Sequence, residues 1–279
     1  MRVDRILIAS LIVLLLGARE GEAQGPNPIL LETPCAPAGY ERLLRDYLVE
    51  IQEEGGAVST RFDYARFHAS PNQRAFREDL RTRFLSANPE TMDPPTRHAW
   101  AVNAYNFLVI DLVVEHFVAP GKDTLRSVRD LGPEPFALFE EARYTVGSRT
   151  YSLNTFERHF VFDEKEDVAV DPRYHFVLVC AAKGCPPLPK CPLAPETLDL
   201  TLDHAVRNAL RSPNHLRLEN KTLHVSKIFE WYARDFKERH PRAFLSRYAP
   251  EDVRLALSRK NGVKELKPDI EWNWDLNRP

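Results

Sequence analysis

The chain has 279 residues, and its 38 lysines and arginines nearly balance 40 aspartates and glutamates, which gives a formal net charge of −2. No basic block stands out from this balance, so the sequence offers no electrostatic case for nucleic-acid binding. The length suits one domain with a sizeable core.

Residues 1–23 are predicted to be a secretory signal peptide. Two arginines precede an apolar run over residues 6–16, and small residues around Ala23 suit cleavage by signal peptidase. The run is too short to span a bilayer, and no later segment is longer. We therefore expect an exported protein, periplasmic or secreted, with no membrane span after cleavage and a single domain over residues 24–279. An uncleaved N-terminal anchor is the alternative.

The N-terminal half of the mature chain is predicted to be helical. Apolar residues at helical spacing over residues 40–51 predict an amphipathic helix that ends near Gly55-Gly56, and residues 76–84 predict a second helix. The segment 92–118 begins with two prolines, which a first helical turn tolerates, and it is apolar on most sides. Such a helix belongs in the centre of a domain.

The second half changes to short β-like segments. Gly147-Ser148 predicts a type II′ hairpin, and a second hairpin is predicted about Asn220-Lys221. The apolar run "RYHFVLVC" over residues 173–180 predicts a buried strand. The alternation of Trp272, Trp274 and Leu276 predicts a terminal strand with one buried face.

Two further helices are predicted between these segments, over residues 198–210 and 229–236. Helices followed by mixed strands and helices favour an α+β fold. We expect N-terminal helices that include a buried central helix, followed by a small, mostly antiparallel sheet with interspersed helices.

Five segments, spread over most of the chain, form an ordered set of motifs. They are WAVNAYN (100–106), YSLNTFE (151–157), DPRYHFVLVCAAKGCPPL (171–188), VSKIFEWYARDF (225–236) and WDLN (274–277). Together they resemble the bacterial exported branch of the domain of unknown function 547 (DUF547), a family whose name states no activity. The family commonly has a histidine after the glutamate matched by Glu157. This chain has Arg158 there, and we do not transfer that histidine to His159.

The four cysteines divide into two pairs by their place in these motifs. Cys180 and Cys185 lie inside the third motif, whereas Cys35 and Cys191 lie outside all five. Additional cysteines in an exported protein tend to be paired, because an unpaired thiol is open to oxidation. We therefore expect a Cys35–Cys191 disulfide. Direct Cys180–Cys185 or Cys185–Cys191 bridges are the alternatives.

No metal or cofactor is predicted. His175 and the three cysteines after it offer four zinc ligands, but the close C-x₂-C pairs typical of structural zinc are missing. The sequence contains no glycine-rich phosphate loop, H-E-x-x-H or G-x-S-x-G motif.

Cys185 is the candidate nucleophile. In "KGCPPL" the glycine permits a sharp turn, and proline after cysteine suits the first position of a helix. Cys185 would then lie at a helix N-terminus, where backbone N–H groups lower a thiol's pKa and stabilise an oxyanion. His175 is the nearest candidate base, and Glu157 is the candidate carboxylate that orients it. Strand alternation would point Cys180 away from His175.

Each of these residues also has a structural interpretation. His175 is equally explained as a hydrogen-bonded core residue, Cys185 as a turn residue, and Glu157 as the ion-pair partner of Arg173. Asn103, Asn106 and Arg173 are candidate binding residues. The two asparagines lie three residues apart on an apolar helix, where they would either tie loops to the helix or line a pocket.

Three functions stay open at this point. The first is a thiol-dependent hydrolase or acyl transferase that acts on a small-molecule or peptide-like substrate through Cys185, His175 and Glu157. The second is a non-catalytic binding or scaffolding module whose motif residues are structural. A redox protein that cycles Cys180 and Cys185 is third, although the chain has no C-x-x-C motif.

Overall fold

The computed structural model describes residues 36–117, 125–163, 170–237 and 241–279. All of them belong to one compact unit, residues 32–279. The predicted signal peptide (1–23) and Cys35 lie outside the described residues. Within the described ranges, no helix has the length and apolarity that crossing a membrane requires.

The structure has an α+β fold, as predicted. Its helices are α1 (Ala38–Tyr47), α2 (Tyr64–His68), α3 (Gln73–Leu85), α4 (Pro94–His116), α5 (Ala137–Glu140), α6 (Leu153–Phe156), α7 (Leu198–Ala209), α8 (Ile228–Trp231), α9 (Ala233–Lys237), α10 (Pro241–Tyr248) and α11 (Glu251–Ser258). Its strands are β1 (Leu48–Gln52), β2 (Val58–Phe62), β3 (Tyr144–Val146), β4 (Arg149–Tyr151), β5 (Leu216–Glu219), β6 (Thr222–Ser226) and β7 (Glu265–Ile270).

Helix α4 is the buried central helix that the sequence predicts. Asp93 caps it by accepting a hydrogen bond from the N–H of Thr96 at 2.9 Å, and two prolines occupy its first turn. Every residue from Ala99 to Val114 is buried. The one buried charge on this stretch, Asp111, is neutralised by ion pairs to Arg77 at 2.8 Å and Arg81 at 2.7 Å.

The strands form three small sheets in the described chain. β1 pairs with β2 and β3 with β4, both antiparallel, and the third sheet has the order β5-β6-β7 with β6 and β7 parallel. Both predicted hairpins are present. Gly147 has a φ of +60° in the first, and Asn220 and Lys221 both have positive φ in the second, as a type I′ turn requires.

The first helix is shorter than predicted. It ends at Tyr47, and the next residues form β1, which pairs with β2. Gly55 and Gly56 both have a φ of +76°, a conformation that glycine adopts without steric cost, and this lets the chain reverse between the two strands. The helical spacing of apolar residues continues past Tyr47, but pairing with β2 makes this segment a strand.

The predicted core strand over residues 173–180 is wrong. Residues Pro172–Phe176 form a 3-10 helix, and the following residues are irregular although most are buried. Asn106 of α4, rather than a neighbouring strand, makes hydrogen bonds to the main chain here. The predicted terminal strand is also wrong, because residues 271–276 make only isolated bridges, although Trp272, Trp274 and Leu276 do turn to the less exposed side.

Candidate thiol site

A cavity of about 370 Å³ brings together all three residues of the predicted catalytic set. Cys185, His175 and Glu157 line it, together with Cys180, and so do aromatic residues from the C-terminal third of the chain. Its wall consists of Tyr105, Phe136, Phe139, Asn154, Glu157, His175, Leu178, Cys180, Cys185, Pro186, Ile228, Trp231, Tyr232, Trp272 and Trp274.

Cys180 and Cys185 lie side by side at the end of the irregular segment. Their sulfur atoms are 2.7 Å apart, and the amide N–H of Cys180 donates to Sγ of Cys185 at 3.2 Å. The loop closes through a hydrogen bond from the N–H of Cys185 to the carbonyl of Ala182 at 3.1 Å, and Ala181 has a left-handed φ of +62°. A non-glycine residue in this conformation is uncommon and marks a loop held by its surroundings.

The two thiols differ in acidity. Burial raises the pKa of the Cys185 thiol, but hydrogen bonds from the Cys180 thiol and from the amides of Cys180 and Ala182 lower it by more, so it lies below the ordinary value. The hydrogen bond to Cys185, burial and the charge of that thiolate raise the pKa of Cys180 well above its ordinary value. Cys185 is therefore the more acidic thiol of the pair and Cys180 its hydrogen-bond donor.

The predicted helix after Cys185 is absent, since residues 186–194 are irregular. The prediction that a helix N-terminus lowers the pKa of Cys185 is therefore wrong. The Cys180 thiol and loop amides lower the pKa of Cys185 instead. Pro186 suits this irregular loop because proline has no backbone N–H that would need a hydrogen-bond acceptor.

Asn106 of the central helix holds the segment that leads into the thiol loop. Its side-chain N–H donates to the carbonyl of Val177 at 2.8 Å, and its side-chain oxygen accepts the N–H of Val179 at 3.1 Å. Asn103 makes the same pair of bonds to the N–H and carbonyl of Leu193, at 2.8 and 2.9 Å. Both asparagines are 1% exposed, and these contacts fit the structural alternative, in which they tie loops to the helix.

The C-terminal segment holds the thiol loop from the other side. The N–H groups of Lys183 and Gly184 each donate to carbonyls of this segment at 2.8 Å, and Ala181 accepts from Asn277 at 2.7 Å. A Cβ at Gly184 would lie 2.8 Å from the ring of Trp272. Glycine is required here because the indole packs directly on the main chain beside Cys185.

His175 is paired with Asp235 and not with Glu157, so the predicted acidic partner is wrong. Its Nε2 lies 2.8 Å from Oδ2 of Asp235, and its ring stacks on Tyr232 at 3.8 Å between centroids. A carboxylate only accepts hydrogen bonds, so Nε2 carries the proton and Nδ1 the lone pair. Nδ1 is buried and has no hydrogen-bond partner among the described residues. Burial lowers the pKa of His175, and the opposing effect of Asp235 is smaller. The imidazole is therefore neutral at neutral pH.

No hydrogen bond joins His175 to Cys185 in the described structure. The candidate base and the candidate nucleophile line the same cavity, and catalytic hydrogen bonds often form only once a substrate is bound. Glu157 lines the cavity and is hydrogen-bonded to Tyr105. Burial, followed by the charge of Glu157 and a hydrogen bond to it, raises the pKa of the Tyr105 phenol well above its ordinary value.

Arg173 lies outside this cavity, and the prediction that it pairs with Glu157 is wrong. Its guanidinium bonds three carboxylates instead, those of Asp171 at 2.6 Å and of Asp199 and Asp203 at 2.7 Å each. This network connects the 3-10 helix that carries His175 to α7.

Sequence reasoning missed two parts of the site. Asp235 lies sixty residues beyond His175, and nothing around it in the sequence distinguished it from other surface carboxylates. Trp231, Trp272 and Trp274 looked like core residues, yet they cluster on the cavity wall with ring centroids 5.0 to 5.9 Å apart. Trp231 is 47% exposed, and so large an exposed aromatic surface is a signal of a binding site.

The structure describes Cys191 but not its predicted disulfide partner. Cys191 is a free, exposed thiol, and its predicted partner Cys35 is outside the described residues. In the described part of the chain, no group of three or more histidine, cysteine, aspartate or glutamate side chains is arranged to hold a metal ion.

Comparison with known proteins identifies a family. Residues 89–209 match the family model described as "Protein of unknown function, DUF547". The matched segment contains Glu157, His175, Cys180 and Cys185, but it ends before Asp235 and the three tryptophans. No curated protein and no solved structure shows significant similarity to the chain.

Proposed function

The chain belongs to the DUF547 family, and we propose that it is a thiol-dependent hydrolase or acyl transferase with Cys185 as its nucleophile. One observation carries this proposal. A thiol whose pKa is lowered by a neighbouring thiol and by loop amides lines the same cavity as a neutral histidine oriented by a carboxylate. These are the parts that covalent acyl transfer requires. The predicted signal peptide would place this activity in the periplasm or outside the cell.

In the first step, Sγ of Cys185 attacks the carbonyl carbon of the substrate and the bond to the leaving group breaks. The product is a thioester on Cys185. In the second step, water or an acceptor alcohol or amine attacks this thioester and releases the thiolate. The leaving group of the first step takes its proton from solvent. In the second step the neutral imidazole takes the proton of the attacking water, alcohol or amine on Nδ1 and then returns it to solvent.

Asp235 supports both transfers from behind the ring. Its bond to Nε2 fixes the tautomer that leaves the lone pair on Nδ1, and its charge stabilises the imidazolium that forms transiently. Tyr232 covers one face of the ring, which restricts its orientation. In this mechanism Glu157 and Tyr105 orient the substrate rather than the histidine.

Trp272 is the candidate donor to the developing oxyanion. Its indole N–H is buried and has no acceptor among the described residues, and its ring packs on Gly184, next to the nucleophile. A preorganised donor beside the attacked carbonyl stabilises the negative charge of the tetrahedral intermediate. The other cavity tryptophans offer flat apolar surface, so we propose that the substrate is peptide-like and carries a large apolar or aromatic group.

A non-catalytic binding module is the second candidate function. The absence of a hydrogen bond between Cys185 and His175 in the described structure, together with the exposed Trp231, favours it. In this alternative, the cavity holds the same kind of apolar ligand without chemistry.

Trapping of the acyl-enzyme distinguishes the two. The mature protein is incubated with a panel of activated esters and thioesters of aromatic and aliphatic N-acyl amino acids, quenched with acid and digested with trypsin. The peptide 184–190 contains only Cys185 among the cysteines. An acyl adduct on this peptide that decays with time supports the enzyme, and Cys185→Ser must abolish it. Quenching of tryptophan fluorescence by the same compounds with no adduct supports the binding module.

A further inference from the structure

We infer that Cys180 and Cys185 form a peroxide-responsive dithiol, in which a hydroperoxide oxidises Cys185 to a sulfenic acid and Cys180 converts it to an intramolecular disulfide. The two sulfur atoms are 2.7 Å apart, and both thiols are free. A disulfide has an S–S length of about 2.05 Å, so bond formation requires a movement of only about 0.7 Å between the sulfur atoms. This inference does not depend on the proposed acyl transfer.

The chemistry balances with a hydroperoxide as the oxidant. The Cys185 thiolate attacks the terminal peroxide oxygen, the O–O bond breaks, and the departing alkoxide or hydroxide takes up a proton. The sulfur is oxidised by two electrons and the peroxide is reduced by two. The Cys180 sulfur then attacks the sulfenic sulfur and releases water, with the thiol proton of Cys180 completing that water molecule.

The site meets the three requirements for a peroxide-sensitive cysteine. Its attacking thiol is held as a thiolate by hydrogen bonds from Cys180 and from two loop amides. A resolving thiol already touches it. Both cysteines line a cavity of about 370 Å³, which admits small oxidants.

The backbone sets this thiol pair apart from Cys191. The left-handed Ala181 and the turn from Cys185 to the carbonyl of Ala182 bring together two residues that are five apart in the chain. Bonds from Asn106 and from the C-terminal segment hold both ends of this loop. Cys191 is exposed and makes no hydrogen bond to either sulfur. We expect oxidation to select the Cys180–Cys185 pair over the more accessible thiol.

Formation of the disulfide removes the thiolate from the cavity, and a dithiol reductant restores it. Oxidation would therefore switch off any chemistry or ligand binding that depends on the Cys185 thiolate. The same pair would also protect Cys185 from irreversible oxidation beyond the sulfenic acid.

Tryptic mapping tests this directly, because the sequence places every cysteine in a different peptide. Cleavage after Arg173, Lys183 and Lys190 puts Cys180 in peptide 174–183, Cys185 in peptide 184–190, and Cys191 in the peptide after it. The reduced mature protein is treated with hydrogen peroxide, blocked with N-ethylmaleimide and digested. We expect a disulfide-linked 174–183/184–190 pair that disappears on treatment with dithiothreitol.

Variants identify the role of each sulfur. Cys180→Ser should stop at the sulfenic acid, which dimedone traps on peptide 184–190, whereas Cys185→Ser should leave Cys180 unmodified. Cys191→Ser is the matched control and should form the disulfide at the rate of the natural chain. Linkage of Cys185 to Cys35 or Cys191, or peroxide consumption by Cys191 before Cys185, would overturn the inference. If the disulfide forms but no acyl adduct is ever trapped, the redox site stands and the proposed enzyme does not.

Discussion

Nε2 of His175 lies 2.8 Å from Oδ2 of Asp235, although sixty residues separate them in the chain. The pair joins the 3-10 helix before the thiol loop to helix α9, and both residues are largely buried, with side chains 1% and 14% exposed. This contact fixes which imidazole nitrogen can take a proton. It therefore sets which nitrogen would act as the base in the proposed mechanism.

Replacement of the carboxylate tests that relationship. Asp235→Asn keeps the size of the side chain but removes the charge that raises the pKa of His175, so this pKa should fall further. We expect turnover of the trapped thioester to slow by on the order of 100-fold or more, as for loss of a positioned general base. NMR titration of the imidazole and the decay rate of the adduct measure the two effects. The surface change Glu230→Gln is the control, and equal decay rates in Asp235→Asn and the natural chain would contradict the proposed role.

Trp272→Phe tests the proposed oxyanion donor. The substitution keeps most of the aromatic surface over Gly184 and removes the unpartnered indole N–H. Acylation of Cys185 should slow by roughly 10²-fold or more, the usual cost of losing one preorganised donor. Trp274→Phe, in the same cluster, is the matched control and should change the acylation rate much less. Equal effects of both substitutions would show that the ring, and not its N–H, matters.

Substitution of the two buried asparagines separates an effect on stability from an effect on the thiol loop. Asn106→Leu and Asn103→Leu each remove two buried hydrogen bonds to the main chain, so each should lower the free energy of unfolding by about 2–4 kcal/mol. Only Asn106 holds the segment next to the thiol loop. We therefore expect Asn106→Leu, but not Asn103→Leu, to slow alkylation of Cys185 at neutral pH. Urea unfolding and iodoacetamide labelling of the two variants measure this difference.

The buried His215 should make the fold sensitive to acid. Burial lowers its pKa from 6.5 to about 4, so between these values the unfolded chain binds a proton that the folded chain does not. Stability is therefore lost as the pH falls from 6.5 to about 4, by up to about 3 kcal/mol for this shift. His175 acts in the same direction. Urea unfolding at pH 7.5 and pH 4.5 should show the loss, and His215→Gln should reduce it. An unchanged loss in that variant would rule out His215 as its source.

The fold was predictable where local chemistry decides the structure. Helix α4 follows from its proline-rich first turn and apolar faces, and both hairpins follow from the residues at their turns. The segment 173–180 was not predictable, because an apolar run without alternation fits any buried conformation. Its backbone groups are satisfied by Asn106, seventy-odd positions earlier in the chain, and only tertiary structure reveals that partner.

The site divides in the same way. Cys185 and His175 were singled out as candidates because their residue types and the glycine before Cys185 suggest reactivity, and both line one cavity. The expectation that Cys180 points away from His175 rested on a regular strand, and without the strand both residues line the cavity. Asp235 and the tryptophans could not be assigned, since their contacts depend on where α9 and the C-terminal segment fold back.

The central claim is that the neighbours of Cys185 stabilise its thiolate and so lower its pKa, and labelling across a pH series measures this most directly. The natural chain, Cys180→Ala and Cys191→Ser are alkylated with iodoacetamide between pH 5 and pH 10, and the rate is followed on peptide 184–190. We predict a midpoint below the ordinary thiol pKa of about 8.5 in the natural chain and in Cys191→Ser, and a higher midpoint in Cys180→Ala. A midpoint at or above the ordinary value in the natural chain would contradict the claim and leave the cavity as a binding site only.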